Sequence, residues 1–134
     1  MVGAIVVTHC RLGEELVNAT EFIVGKVDGL KAVSIDPARK VPELRGQISA
    51  AMHEVDRGDG VLILTDMFGG TPSNISLSFL EEDKVEIVTG VNLPMIVRFA
   101  TEREGKNLAE ISESVKAYGQ RSISQATEIL HKKV

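Results

Sequence analysis

The 134-residue sequence contains one cysteine, Cys10, so an intramolecular disulfide framework is excluded and a structural zinc site would lack a second thiol. That shortage suits a reducing cytoplasm. No apolar run approaches the ~18 residues that cross a bilayer. The apolar start, Ala4 to Val7, is too short for a signal-peptide core and has no basic flank, and so reads as a strand. Lys and Arg form no cluster, and a net charge of -4 with a pI near 5.4 gives no electrostatic footprint for nucleic acid. Internal repeats, low-complexity tracts and linkers are also missing. So are a GxGxxG fingerprint and a P-loop lysine, which disfavours a nucleotide- or flavin-binding domain. What is present is ordinary globular material: 43% hydrophobic and 25% charged residues, enough for one packed domain over residues 1–134.

Apolar periodicity alternates between strand and helix. Ile5-Val6-Val7, Ala32 to Ile35, Val61 to Leu64 and Val85 to Val88 are short, β-branched-rich runs of the kind that fill a sheet buried on both faces. Between them, Leu16, Val17, Thr20, Ile23 and Val24 fall at helical spacing, stopped by Gly25. So do Val41, Leu44, Ile48, Met52 and Val55. Thr71 before Pro72 matches an N-cap with proline at the first helical position, opening a short helix through Ile75 and Phe79. Helices follow from Met95-Ile96-Val97 and along Leu108, Ile111, Val115 and Tyr118. Residues 122–130 fit helix or strand equally. This alternation predicts a single three-layer α/β domain with a mainly parallel sheet and helices on both faces.

In such a sheet, ligands gather outside the carboxyl ends of strands where strand order reverses. His9 follows the first strand and Asp66 the third; in a flavodoxin-like order of 2-1-3-4 those strands are neighbours. A carboxylate that accepts a hydrogen bond from one imidazole nitrogen leaves the other with a free lone pair, and stabilises the positive charge of a modified ring. Gly69-Gly70-Thr71-Pro72 adds glycines that let backbone N–H groups approach an anion, ahead of a helix's positive end. Together the three elements suggest phosphoryl transfer. Singly, each has a plainer role: a structural histidine, a turn-capping Asp, glycines at positive φ, an ordinary cap.

These residues resemble a known family. Ile5-Val6-Val7-Thr8-His9, Asp66-Met67-Phe68-Gly69-Gly70-Thr71-Pro72-Ser73-Asn74 and Gly90-Val91-Asn92-Leu93-Pro94-Met95 together are similar to the mannose-family enzyme IIA component of the bacterial phosphoenolpyruvate-dependent sugar phosphotransferase system. The resemblance implies that His9 accepts a phosphoryl group from phosphohistidine on the carrier HPr and donates it to a IIB component. Asp66 then orients the histidine, and Gly69, Gly70 and Thr71 surround the phosphoryl group. No metal or organic cofactor is implied. It also implies a homodimer in which a C-terminal strand joins the partner's sheet, which would make residues 122–130 that strand.

Two other functions use the same residues. One is a module whose phosphorylation at His9 switches binding to a regulated partner, left open by the absence of a fused IIB domain. The other is the phosphocarrier that feeds dihydroxyacetone kinase, ranked lower because its second motif reads Asp-Met-Gly-Ser. Cys10 points away from His9 as a neighbour on a strand and is expected to be packed and inert. His53 and His131 are expected at the surface. Met67, Phe68, Leu93 and Met95 suit either core or an apolar docking patch.

Overall fold

The first strand, β1 (Gly3–His9), sends alternate side chains into two separate cores. Ala4 and Val6 join Leu62, Leu64, Ile96 and Phe99 on one side, while Ile5 and Val7 join Ile63, Leu44, Ile48 and Ile75 on the other. Each fully buried aliphatic side chain contributes about 1.5–3 kcal/mol. A strand covered on both faces has no position to spend on polar residues, which is why it reads as an unbroken apolar run.

The computed structural model describes residues 1–131, so the last residues of the expected 1–134 domain lie outside it. With β1, the strands β2 (Leu30–Ile35), β3 (Val61–Thr65) and β4 (Val85–Thr89) form one parallel sheet in the order β2-β1-β3-β4, as expected. Helices α1 (Leu12–Val24), α4 (Leu93–Glu102) and α5 (Leu108–Arg121) cover the Ala4/Val6 face. Helices α2 (Val41–Val55) and α3 (Thr71–Leu77) cover the other. Opposite the strand ends that carry His9 and Asp66, the buried Arg103 guanidinium donates to the carbonyls of Val2 and Asp28 and lies over the Phe99 ring, tying the start of β1 to the start of β2.

Several local expectations are corrected. In α1 the buried residues are Gly13, Val17 and Thr20, whereas Ile23 and Val24 are exposed. The helix leans on β1 through its smallest residue: a Cβ on Gly13 would lie 2.9 Å from the Val6 carbonyl oxygen. Val41 opens α2 and stays exposed. Thr71 is the first residue of α3 and not its cap; Gly70 takes the cap position, and the helix ends at Leu77, short of Phe79. Helix α4 begins at Leu93, ahead of Met95, because Asn92 caps it. The ambiguous C-terminal segment is a short exposed helix, α6 (Ala126–His131), and not the strand the resemblance implies. In a single chain an extended segment with no strand beside it leaves its N–H and C=O groups without partners, whereas a helix pairs them locally.

Candidate active site

The order β2-β1-β3-β4 places the ends of β1 and β3 side by side at the switch point, with Val7 in register with Thr65. His9 and Asp66 therefore meet, although 57 positions separate them. His9 Nδ1 lies 2.8 Å from Asp66 Oδ2, and the His9 backbone N–H donates to the same oxygen at 3.0 Å. The other carboxylate oxygen accepts the Met67 N–H at 3.1 Å. An ionised carboxylate only accepts, so Nδ1 carries the hydrogen and Nε2 keeps its lone pair. Partial burial acts to raise the Asp66 pKa, but the hydrogen bonds from the His9 ring and backbone, with the ring's charge, outweigh it and leave the carboxyl below its ordinary value. The acid stays ionised beside a ring that can become cationic.

Two devices hold the ring at the surface. After His9 the chain turns sharply at Cys10, whose φ of 52° is in the left-handed region, and Thr8 Oγ1 accepts the Gly13 N–H at 2.7 Å to close the turn. Cys10 is exposed, which corrects the expectation of a packed thiol: the left-handed turn carries it out of the strand's alternation. Across the site, Gly70 lies against the imidazole. A Cβ there would sit 2.7 Å from His9 Cε1 and 3.1 Å from Nε2, so the free nitrogen faces the glycine turn.

Gly70 has φ −85° and ψ 171°, a conformation open to any residue, while Gly69 has φ 88° and open space where a side chain would go. One glycine serves the backbone and the other serves the histidine. No side chain caps α3, which leaves the first-turn N–H groups of Thr71 and Ser73 without a capping partner; Pro72 has none. Thr71 itself is exposed and adjoins Gly70 in the chain. Met67 and Phe68 are 57% and 70% exposed beside the site, whereas Met95 is buried in the core. The choice between docking patch and core thus divides these residues. His53 and His131 are exposed, as expected.

The fold and this pair define an α/β domain with one oriented histidine at the sheet's switch point. Residues 3–116 match the family described as EIIA-man, the PTS system fructose IIA component, and the chain belongs to that family, the IIA phosphocarriers of the sugar phosphotransferase system. It is 30% identical over 133 residues to the PTS system fructose-specific EIIA component of Bacillus subtilis, covering 98% of this chain and 91% of that one. Among solved structures, the PTS IIA protein associated with the fucose utilization operon of Streptococcus pneumoniae superposes with a TM-score of 0.83 at 30% identity, covering 97% and 96% of the two chains. The mannose/sorbose-specific IIA subunit from Enterococcus faecalis gives 0.82 at 25% identity, covering 92% of each. Members of this family are phosphotransferases. The comparisons favour neither the regulatory module nor the dihydroxyacetone kinase phosphocarrier. No helix among the described residues is long and apolar enough to cross a membrane.

Proposed function

We propose that His9 Nε2 accepts a phosphoryl group from a phosphohistidine on an HPr-like carrier and passes it to a IIB component. As the Nε2–P bond forms, the donor's N–P bond breaks and the donor imidazole leaves with its electron pair. The His9 ring, which keeps its Nδ1 hydrogen, becomes cationic and Asp66 opposes that charge. Transfer to IIB repeats the step with His9 as the leaving group. The observation that carries this proposal is the 2.8 Å contact from Nδ1 to Asp66, which leaves Nε2 free beside Gly70. Gly69, Gly70 and Thr71 are assigned to the phosphoryl group because a glycine turn and an uncapped helix start favour an anion. Nothing in this step requires a metal or organic cofactor.

The exposed Leu12, Met67 and Phe68 suit docking of protein partners around the histidine. A cytoplasmic location fits exchange with soluble carriers. The proposal is tested by incubating the protein with phosphoenolpyruvate, enzyme I and HPr and assaying acid-labile phosphate. One phosphoryl group per chain is expected, lost in His9→Ala; undiminished labelling of that variant removes His9 from the role.

We also propose that the protein forms a homodimer. Strand β4 ends the sheet, and a groove of about 320 Å³ runs beside it between Ile87, Lys116 and Ile123. Among the described residues that edge pairs with no further strand, and a second copy packed against it would cover it. Truncation after Gln120 should shift sedimentation toward monomer, and a full-length chain that is monomeric at micromolar concentration would count against the dimer.

A further inference from the structure

The segment Gly90-Val91-Asn92-Leu93-Pro94-Met95 takes no part in the chemistry above, yet it is built into the support of Asp66. Thr65, the last residue of β3 and fully buried, offers one carbonyl oxygen that accepts two hydrogen bonds, from Gly90 N–H and Val91 N–H, both at 2.9 Å. Those two donors occupy both of its lone pairs. Because the peptide unit is planar, fixing that carbonyl fixes the orientation in which the chain enters Asp66. The donors lie in a tight turn, with Gly90 at φ 85°.

The turn is held in place one residue further on. Asn92 Oδ1 accepts the Met95 N–H at 3.1 Å, which caps α4, and Asn92 Nδ2 donates to the Gly119 carbonyl of α5 at 3.2 Å. Helix α5 comes this close because residue 119 is glycine: a Cβ there would lie 2.5 Å from Met95 Cγ and 2.6 Å from Sδ. One amide thus joins the start of α4, the end of α5 and the turn that grips Thr65.

We propose that Asn92 is a positioning residue for the His9–Asp66 pair, acting through the 90–91 turn and the Thr65 carbonyl. Asp66 Oδ2 must meet both the backbone N–H and Nδ1 of His9, at 3.0 and 2.8 Å, and a displacement of a few tenths of an ångström degrades one or both bonds. The cap alone does not require asparagine, since Asp and Ser cap helices comparably well. The Nδ2–H donated to Gly119 does require it. The proposal rests on His9 as the phosphoryl acceptor for its kinetic consequence, but its geometric core concerns the unphosphorylated ring.

The test uses the full chain with Asn92→Asp, which keeps the cap oxygen and loses the donor, and Asn92→Ser, which caps without reaching Gly119 and avoids a carboxylate facing a carbonyl. The ring tautomer of His9 is read by nitrogen-15 NMR at alkaline pH. Single-turnover uptake from phospho-HPr and a melting curve are recorded on the same samples. Wild type should be dominated by the Nδ1–H tautomer. The folded variants should show a larger Nε2–H share and uptake slower by about tenfold or more, given that misplacing a reacting group by ~1 Å can cost 10²-fold. A lower melting point with the wild-type tautomer ratio and wild-type uptake in the folded fraction of either variant would overturn the proposal. Absence of uptake by wild type would instead overturn His9 as acceptor, and the tautomer ratio would still decide the role of Asn92.

Discussion

Substituting Gly70 by Ala isolates the contact between the glycine turn and the histidine. The new methyl would sit 2.7 Å from His9 Cε1, against an ordinary carbon contact of about 3.5–4.0 Å, so the ring must retreat by roughly 0.8–1.3 Å. A shift of Nδ1 by even half the smaller figure along its 2.8 Å bond to Asp66 would take the contact to about 3.2 Å, the outer limit of a good N–H···O bond, and a shift across it would bend the bond. The backbone at residue 70 is already in a region open to alanine, and the exposed ring is free to yield. Stability should therefore change little while single-turnover transfer from phospho-HPr falls by about 10²-fold. Gly69→Ala supplies the opposite pattern. No atom lies within 4 Å of its added methyl, but φ 88° costs an L residue about 1–2 kcal/mol, so melting should fall with transfer much less affected. Transfer by Gly70→Ala within a few-fold of wild type, with Gly69→Ala the slower of the two, would refute the assignment of Gly70 to the ring.

Asp66→Asn keeps the size of the side chain but loses the charge that opposes the imidazolium, so transfer should slow by about 10²–10³-fold with a much smaller change in melting. A near-wild-type single-turnover rate would return Asp66 to a turn-capping role. The folded Asp66 pKa is depressed, so its contribution to stability should be complete above the ordinary carboxyl value near 3.9 and lost as the pH falls through the lower folded value. Melting curves of wild type and Asp66→Asn, compared from neutral to strongly acidic pH, should accordingly converge only at the acid end. At the opposite end of β1, Gly3→Ala would place its methyl 2.2 Å from the Val55 carbonyl oxygen, backbone that cannot swing aside. A loss of about 1–3 kcal/mol or more, measured by denaturant titration, is expected.

How far such features are legible in the amino acids depends on the range over which they act. The four strands are legible because burial on both faces leaves only apolar residues, whereas right-handed βαβ crossovers only narrow the possible strand orders, among which the flavodoxin-like 2-1-3-4 is reached by analogy. That order suffices to bring His9 to Asp66 before any coordinate is known. The short-range details are governed by contacts a linear pattern does not encode. Exposure of Cys10 follows from a left-handed turn closed by Thr8 and Gly13. Asn92 looks like an ordinary cap until α5 is seen to lie against it. The segment after Ser122 satisfies either period, because what decides between helix and strand there is whether another strand lies beside it.

Gly69 and Gly70 make the same point within two residues. In the sequence they are one doublet, and the economical inference is a single flexible turn around an anion. In the fold only Gly69 uses the freedom of glycine, at φ 88°; Gly70 has an unexceptional backbone and is glycine because His9 occupies the space of a side chain. A residue type chosen for backbone conformation can be inferred from its neighbours in the chain. One chosen for what it must not touch can be inferred only after the partner, here 61 positions away, has been placed. For the same reason a substitution at Gly69 should be felt first in stability and one at Gly70 first in chemistry, although the two residues are adjacent.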